Sequence, residues 1–180
     1  MFVGCVGLLI AAAGFLAEVP EELRLKLQPT NEVRGVFVQT KSVRDAAGTT
    51  RDYVTKGTYR LRPGVDFTWR TVEPFETCFC STPTNYVYSN EDETVTRKLS
   101  ELPGFSHFAG FAKGDFSAFF KAFDAISARE NGRLYVRAKP KLAELKRVLT
   151  RVDLEGATSN WVMHAEFADK TRFSVELKDL

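Results

Sequence analysis

The chain has 180 residues, the size of one domain, and its 25 Lys and Arg residues nearly balance its 23 Asp and Glu residues, giving a formal net charge of +2. Such a small net charge creates no overall field that would recruit nucleic acid or an anionic membrane, so binding by bulk charge is excluded. Phe accounts for 15 of the aromatic residues, and because Phe has no polar group to satisfy when buried, this number fits either a large core or an apolar cavity.

An uncharged segment opens the chain. Residues 2–17 contain no charged side chain, and a polar segment follows from Glu18. The run is shorter than the roughly 20 residues that span a bilayer as a helix, and it is typical of the core of a secretory signal peptide. No Lys or Arg precedes it, and cleavage could follow Ala13 or Ala17, so the start codon and the cleavage site stay open. We expect a signal peptide over residues 1–17 and an exported domain over residues 18–180.

The first half of the exported domain shows one helical pattern followed by strand patterns. Val19, Leu23 and Leu27 recur at a spacing of four, which predicts a short amphipathic helix that ends near Pro29. Alternating apolar and polar side chains then predict strands over residues 33–43, 53–61, 65–72, 77–81, 86–89 and 94–99. Pro63 and Gly64 supply the turn of a hairpin whose inner face is aromatic.

A Phe-rich insert interrupts the strands between residues 103 and 128, where seven Phe residues fall. Four of them share one stripe of a helix, at positions i, i+3, i+4 and i+7: Phe116, Phe119, Phe120 and Phe123. Asp115 is placed as the N-cap of this helix. The stripe must face an apolar surface.

Strands resume after the turn at Asn131 and Gly132, over residues 134–138, 148–154, 161–167 and 173–177. Together these patterns predict nine or ten antiparallel strands and one helical insert. The predicted fold class is mainly β with helices: an open, half-closed antiparallel barrel or curved sheet with a helical lid. The alternative is a closed barrel filled by its own side chains.

The sequence contains no convincing catalytic or metal-binding motif. Ser106 and His107 are direct neighbours that point apart, and the segment around them lacks the second glycine of G-x-S-x-G. His164 shares a polar strand face with Glu166 and is interpreted as a solvated histidine. Cys78 and Cys80 point to the same face of a strand, where a bridge between them would be strained. We therefore predict no enzyme, no cofactor and no metal, and binding is the simpler class of function.

The order of several short motifs resembles the periplasmic outer-membrane lipoprotein carriers, the LolA-like family. The matching positions are Phe37 and Gln39, then Gly57, Arg62, Pro63, Phe67 and Trp69. A helical insert and a three-strand meander follow in the same order, so the similarity spans almost the whole exported domain.

This resemblance implies a helical lid over an apolar cavity that receives acyl chains in the periplasm. The sheet side of the cavity would be lined by Phe37, Tyr59, Leu61, Phe67 and Trp69, and the lid side by Phe108, Phe111, Phe119 and Phe120. Arg62 would hold the empty cavity shut by hydrogen bonds to the lid backbone. The expected partners are lipoprotein acyl chains or lipid, with an inner-membrane donor and an outer-membrane acceptor and no nucleic acid. We expect a monomer.

Three departures from the family pattern bear on the cargo and its delivery. Phe67 lies four residues after Pro63 instead of three, which would allow a bulge or a shifted register. The sequence stops at Leu180, where typical members continue into a further strand and loop used with their receptor. The segment around Trp69 is closer to divergent members associated with lipid or polyene biosynthesis, so the cargo is a lipoprotein, a lipid or a polyene. The alternative function is a non-catalytic structural or interaction module of an envelope assembly with a filled barrel core.

Overall fold

The computed structural model describes residues 31–45, 47–101, 122–157 and 159–180. These residues form eleven strands: β1 (Val33–Arg44), β2 (Thr50–Arg62), β3 (Asp66–Glu73), β4 (Thr77–Ser81), β5 (Asn85–Ser89), β6 (Thr94–Lys98), β7 (Phe123–Glu130), β8 (Arg133–Pro140), β9 (Leu149–Ala157), β10 (Asn160–Phe167) and β11 (Arg172–Asp179). They also contain one short helix, α1 (Ala143–Lys146), and a 3-10 turn at Leu99–Glu101.

All eleven strands belong to one antiparallel sheet, in the order β6-β5-β4-β3-β2-β1-β11-β10-β9-β8-β7. Two meanders therefore run outward from the centre of the sheet, where β1 pairs with β11 from Gly35 opposite Asp179 to Ser42 opposite Arg172. Strands β6 and β7 form the two edges. The sheet is open, so the prediction of a mainly β, antiparallel and unclosed architecture is confirmed, and the alternative of a closed barrel is wrong.

Alternation along the strands separates the sheet into two faces. Successive side chains of a strand point to opposite faces, so the apolar positions of each strand gather on one side. We call this side the inner face; Phe37 of β1, Trp69 of β3, Trp161 of β10 and Val175 of β11 are buried there. The opposite side, the outer face, carries most of the charged side chains.

Residues 123–128 correct the predicted extent of the helical insert. They belong to β7, which pairs with β8 from Phe123 opposite Pro140 to Glu130 opposite Arg133. The helix prediction rested on the spacing of Phe residues, and the hydrogen bonds and side-chain contacts offered by the neighbouring strand outweigh that local pattern. Phe123 therefore lies on a strand, and the strand count rises from the predicted nine or ten to eleven.

The predicted phase of β9 is also wrong at its start. Val148 was expected on the apolar side with Val152 and Leu154, but it is 58% exposed, and Leu149 is buried instead. Glu166 is opposite Arg151 and Phe167 is opposite Leu149, so Thr150 is an extra residue in β9. A bulge of this kind lets Leu149 and Val152, three residues apart, share one face.

Several predicted features lie outside the described residues. These are the signal peptide over residues 1–17, the amphipathic helix at Val19 to Leu27, and the part of the Phe-rich helix that begins at Asp115. Among the helices that are described, none has the length and apolar character needed to cross a membrane.

Candidate apolar binding face

An aromatic cluster occupies the inner face where β1, β2 and β3 meet. Phe37, Tyr59 and Trp69 are buried, and Phe67 is half-buried. Phe37 and Trp69 are stacked with ring centroids 3.7 Å apart and an interplanar angle of 20°. Tyr59 and Phe67 lie 6.3 and 6.1 Å from the Trp69 ring. These rings, which we call the aromatic floor, form a continuous apolar layer that is mostly buried.

Two glycines explain why the rings lie close to the sheet. Phe37 is opposite Gly57 and Tyr59 is opposite Gly35 in the β1–β2 pair. A Cβ on Gly57 would come within 2.7 Å of the Phe37 ring, and one on Gly35 within 2.4 Å of the Tyr59 ring. Each ring therefore covers the backbone of the glycine opposite, an arrangement that only a residue without a side chain permits.

The aromatic floor continues into residues that the sequence pattern did not single out. Phe79 of β4 is directly opposite Trp69 and is 3% exposed. Its ring lies 5.7 Å from that of Tyr86 on β5. Alternation within residues 77–81 places the Phe79 side chain on the other face of the strand from Cys78 and Cys80, so the sequence did contain a signal for its burial. Only the register showed that Phe79 and Trp69 are neighbours.

A polar pair lies at one side of the aromatic floor. The Tyr59 hydroxyl donates a hydrogen bond to the Asp179 carboxylate, across 120 residues of sequence. Burial raises the pKa of Tyr59, and the Asp179 carboxylate that accepts its hydrogen bond raises it further. The hydroxyl therefore stays protonated, and its polar end is satisfied within an apolar surface.

The sheet-side residues predicted to line a cavity lie on one face. Leu61 is opposite Phe67, and Tyr59 is opposite Trp69, so both pairs join Phe37 on the inner face. The lid-side residues Phe108, Phe111, Phe119 and Phe120 lie outside the described residues. The structure thus brings together five of the nine predicted cavity residues and gives no contact for the other four.

Arg62 lies on the outer face, opposite Asp66 in the β2–β3 hairpin. Its Nε donates a hydrogen bond of 2.9 Å to Asp66 Oδ1, and its Nη2 donates another to Asp66 Oδ2. The Arg62 guanidinium holds the pKa of Asp66 below its usual range, although partial desolvation opposes this effect. Asp66 also approaches Arg60 at 3.7 Å. The gating role of Arg62 stays a prediction.

The hairpin turn itself accommodates the extra residue after Pro63. The Val65 N–H donates to the Arg62 carbonyl at 3.0 Å, and Gly64 has a φ of 71°, which a residue without Cβ adopts readily. Pairing is regular from Arg62 back to Gly57, and the register shifts only between Lys56 and Gly57. The aromatic strand therefore keeps Phe67 and Trp69 on the inner face.

A row of three polar side chains crosses the outer face from β9 to β11. Asp153 is opposite His164, and His164 is opposite Ser174. The hydrogen bonds of the described residues include none that joins these three side chains. Ser106 and His107 lie outside the described residues.

Cys78 and Cys80 lie on β4 and have no disulfide partner among the described residues. Cys78 and Cys80 are free thiols, and desolvation raises the pKa of Cys78. A thiol of raised pKa forms little of the reactive thiolate. In the part of the chain that the structure describes, no three His, Cys, Asp or Glu side chains are grouped in a way that could hold a metal ion.

Comparison with known proteins gives similarity at the level of structure. No protein-family model matches the chain, and no curated protein matches it. The chain is similar to the crystal structure of a LolA superfamily protein from Nitrosomonas europaea, with 8% identity, a TM-score of 0.43, and coverage of 96% of this chain and 91% of that one. It is also similar to an outer membrane lipoprotein-sorting protein domain from Vibrio parahaemolyticus, with 11% identity, a TM-score of 0.37, and coverage of 98% and 91%. At such identities and TM-scores, no residue role passes from those proteins to this chain.

Proposed function

We propose that this chain is a periplasmic carrier that binds the acyl chains of lipoproteins or lipids against its inner face and moves them toward the outer membrane. The observation that supports this proposal best is the aromatic floor. The rings of Phe37, Tyr59, Phe67 and Trp69 lie side by side, with their only hydroxyl turned to Asp179. An acyl chain requires a surface of this kind, which is wide and apolar and has no unsatisfied polar group.

The energetics of such a site are favourable. Each methylene removed from water contributes about 0.8 kcal/mol, so about ten buried methylenes would contribute about 8 kcal/mol before the costs of association are subtracted. Lipoprotein, lipid and polyene cargoes all present an apolar tail, so the aromatic floor would serve any of them. The carrier would act as a monomer that binds and releases its cargo without covalent chemistry, between an inner-membrane donor and an outer-membrane acceptor.

Gating by Arg62, as proposed, would require Arg62 to leave its present hydrogen-bond partner, Asp66. The guanidinium would have to exchange its two hydrogen bonds with Asp66 for bonds to carbonyl groups of the predicted lid. Charge-assisted hydrogen bonds of this type are stronger than neutral ones. Asp66 is therefore part of any gating equilibrium that involves Arg62, because it competes for the same donor.

Quenching of Trp69 tests the proposed site directly. The two Trp residues, Trp69 and Trp161, both lie on the inner face. In a Trp161→Phe variant, Trp69 is the single reporter, and a fatty acid brominated along its chain should quench its fluorescence in a saturable manner. The unbrominated fatty acid should bind without quenching and should displace the brominated one. The carrier proposal fails if quenching of Trp69 rises only linearly with concentration.

Two substitutions on β3 provide a matched pair for the same assay. Phe67→Asp places a carboxylate on the inner face, and Val72→Asp places one on the outer face, where Val72 is 49% exposed. We expect Phe67→Asp to weaken acyl-chain binding at least about tenfold, because a desolvated carboxylate would face the acyl chain. Val72→Asp should leave binding within about twofold. Circular dichroism and unfolding curves establish that both variants are folded.

The alternative function is a structural or interaction module with a filled interior. The observation that favours it is the nearly complete burial of Phe37, Leu149 and Val175, which is also typical of an ordinary packed core. Absence of saturable quenching in the folded Trp161→Phe variant would support this module over the carrier.

A further inference from the structure

The outer face carries a polar groove at the opposite side of the sheet from the aromatic floor. Two adjoining depressions, of about 250 and 320 Å³, share Ser42, Glu166 and Arg172. The first extends over β9 to β11 and includes His164 and Ser174. The second extends toward the turns that precede β2 and β11. We refer to the two depressions together as the polar groove.

The register explains why these side chains meet. Arg172 is opposite Ser42 on one side and Glu166 on the other, and Glu166 is opposite Arg151. Residues directly opposite each other in an antiparallel pair have Cβ atoms about 5 Å apart. One row of outer-face side chains therefore crosses four strands, and the next row, which contains His164 and Ser174, runs beside it.

The two carboxylates of the groove already have cationic partners. Arg151 lies 2.8 Å from Asp153 and 3.7 Å from Glu166, measured between nitrogen and oxygen atoms. Asp153 also accepts a hydrogen bond of 2.7 Å from Arg137 Nε. Both acids are therefore held by arginines within the wall of the groove.

Three further cations line the groove with no carboxylate of their own. Arg172 and Lys170 have no ion pair or hydrogen bond from their side chains to any part of the chain that the structure describes. Arg44 uses its Nε for the Gly48 carbonyl at 3.0 Å and has no carboxylate partner among those residues. The acids along the row are Glu166, which is opposite Arg172 but is paired with Arg151, and Asp52, which is opposite Ser42 on β2. Positive charge therefore exceeds negative charge within the groove.

The remaining groups are hydrogen-bond donors that suit an oxyanion. Guanidinium and ammonium groups donate to several oxygen atoms at once, and the hydroxyl groups of Ser42, Ser174 and Thr50 add donors beside them. A phosphate group carries up to two negative charges and has several acceptor oxygens, so it matches this set better than a single carboxylate. We propose that the polar groove binds a phosphate group.

The phosphate could belong to a small soluble molecule or to a phospholipid headgroup at a membrane surface. The site does not depend on the proposed carrier function, because its side chains lie on the face opposite to the aromatic floor. A ligand in the groove would leave Phe37 and Trp69 untouched, so both sites could be occupied at once. Loss of one activity therefore does not imply loss of the other.

Titration with inorganic phosphate, followed by backbone amide chemical shifts at constant pH and low ionic strength, tests the proposal. We expect saturable shifts at Ser42, His164, Arg172 and Ser174, with a Kd of about 1 mM, as is reasonable for an exposed ionic site. Sodium chloride at the same ionic strength should produce no saturable shifts at these amides. Failure of phosphate to saturate these amides overturns the proposal.

Two variants that each remove one positive charge distinguish a specific phosphate site from non-specific electrostatic attraction. Arg172→Gln should weaken phosphate binding about tenfold. Lys178→Gln removes the same charge from the outer face of the same strand, away from the groove, and should change binding less than about twofold. Equal effects of the two variants would overturn the proposal. Vesicles of phosphatidylglycerol then identify the source: competition with inorganic phosphate assigns a headgroup, and lack of competition assigns a soluble phosphate.

Discussion

Gly57 is the residue on which the aromatic floor depends most directly. A Cβ at this position would lie 1.9 Å from the Arg70 carbonyl oxygen and 2.7 Å from the Phe37 ring. We predict that Gly57→Ala lowers the free energy of unfolding by about 2 kcal/mol or more, because a backbone atom cannot move aside as a flexible side chain can. Denaturant unfolding measures this. Thr58→Ala, next to it on the exposed face, should cost less than about 1 kcal/mol.

Asp66 is the residue whose protonation should matter at low pH. Its side chain is 9% exposed, and Arg62 lowers the pKa of its carboxyl in the folded state. A lowered folded-state pKa contributes stability above the unfolded pKa of about 4, and that contribution is lost as the pH falls through the folded value.

We therefore predict that Asp66→Asn destabilises the protein at pH 7 and makes its stability less dependent on pH below about 4 than that of the unmodified protein. Thermal unfolding across this range measures the effect. Parallel curves for the two proteins would contradict the prediction. Asp66→Asn also releases Arg62, so in the proposed carrier it should change the rate of acyl-chain release.

Single residues show what the sequence could and could not reveal. Alternation placed Tyr59 with Leu61 and Phe67 with Trp69, the resemblance added Phe37, and the register shows that all five share one face. Alternation also set Arg62 on the other face, yet its pairing with Asp66 required the hairpin geometry. The bond between Tyr59 and Asp179 was not predictable, because periodicity within a strand carries no information on which strands lie near each other.

At the scale of elements, the hydrogen bond between Tyr59 and Asp179 spans β1, since it joins the two strands that flank it. We predict that Tyr59→Phe lowers the free energy of unfolding by about 1–2 kcal/mol at neutral pH. The raised pKa of Tyr59 contributes stability below its unfolded pKa of about 10 and loses it as the pH rises further. Stability should therefore fall less steeply above about pH 10 in Tyr59→Phe than in the unmodified protein. Chemical unfolding at neutral and alkaline pH measures both effects.

Two elements show why local patterns fail. Residues 123–128 contain Phe123 at helical spacing from earlier Phe residues, and they nevertheless form β7 because β8 offers a complete set of partners. Ile126 of this edge strand is 71% exposed. The strand therefore lacks the alternation of buried apolar and exposed polar residues by which a strand is predicted from sequence. In β9, the extra residue Thr150 shifts the alternation of buried and exposed side chains by one position. The local composition does not predict such a bulge.

For the whole molecule, the antiparallel character of the sheet followed from strand patterns with short turns and no βαβ rhythm, whereas those patterns left both an open sheet and a closed barrel possible. The order of the strands did not follow from them. Neighbouring strands in sequence pair by hairpins, which accounts for both meanders. The pairing of β1 with β11 joins distant parts of the chain, and its register depends on contacts that no short window of sequence contains.

This central pairing separates the order of synthesis from the order in space. The first strand of the sheet to leave the ribosome keeps one side vacant until the last strand arrives, because β11 alone occupies that side of β1. Until then the nascent chain consists of partial meanders with an open seam, a state prone to mispairing.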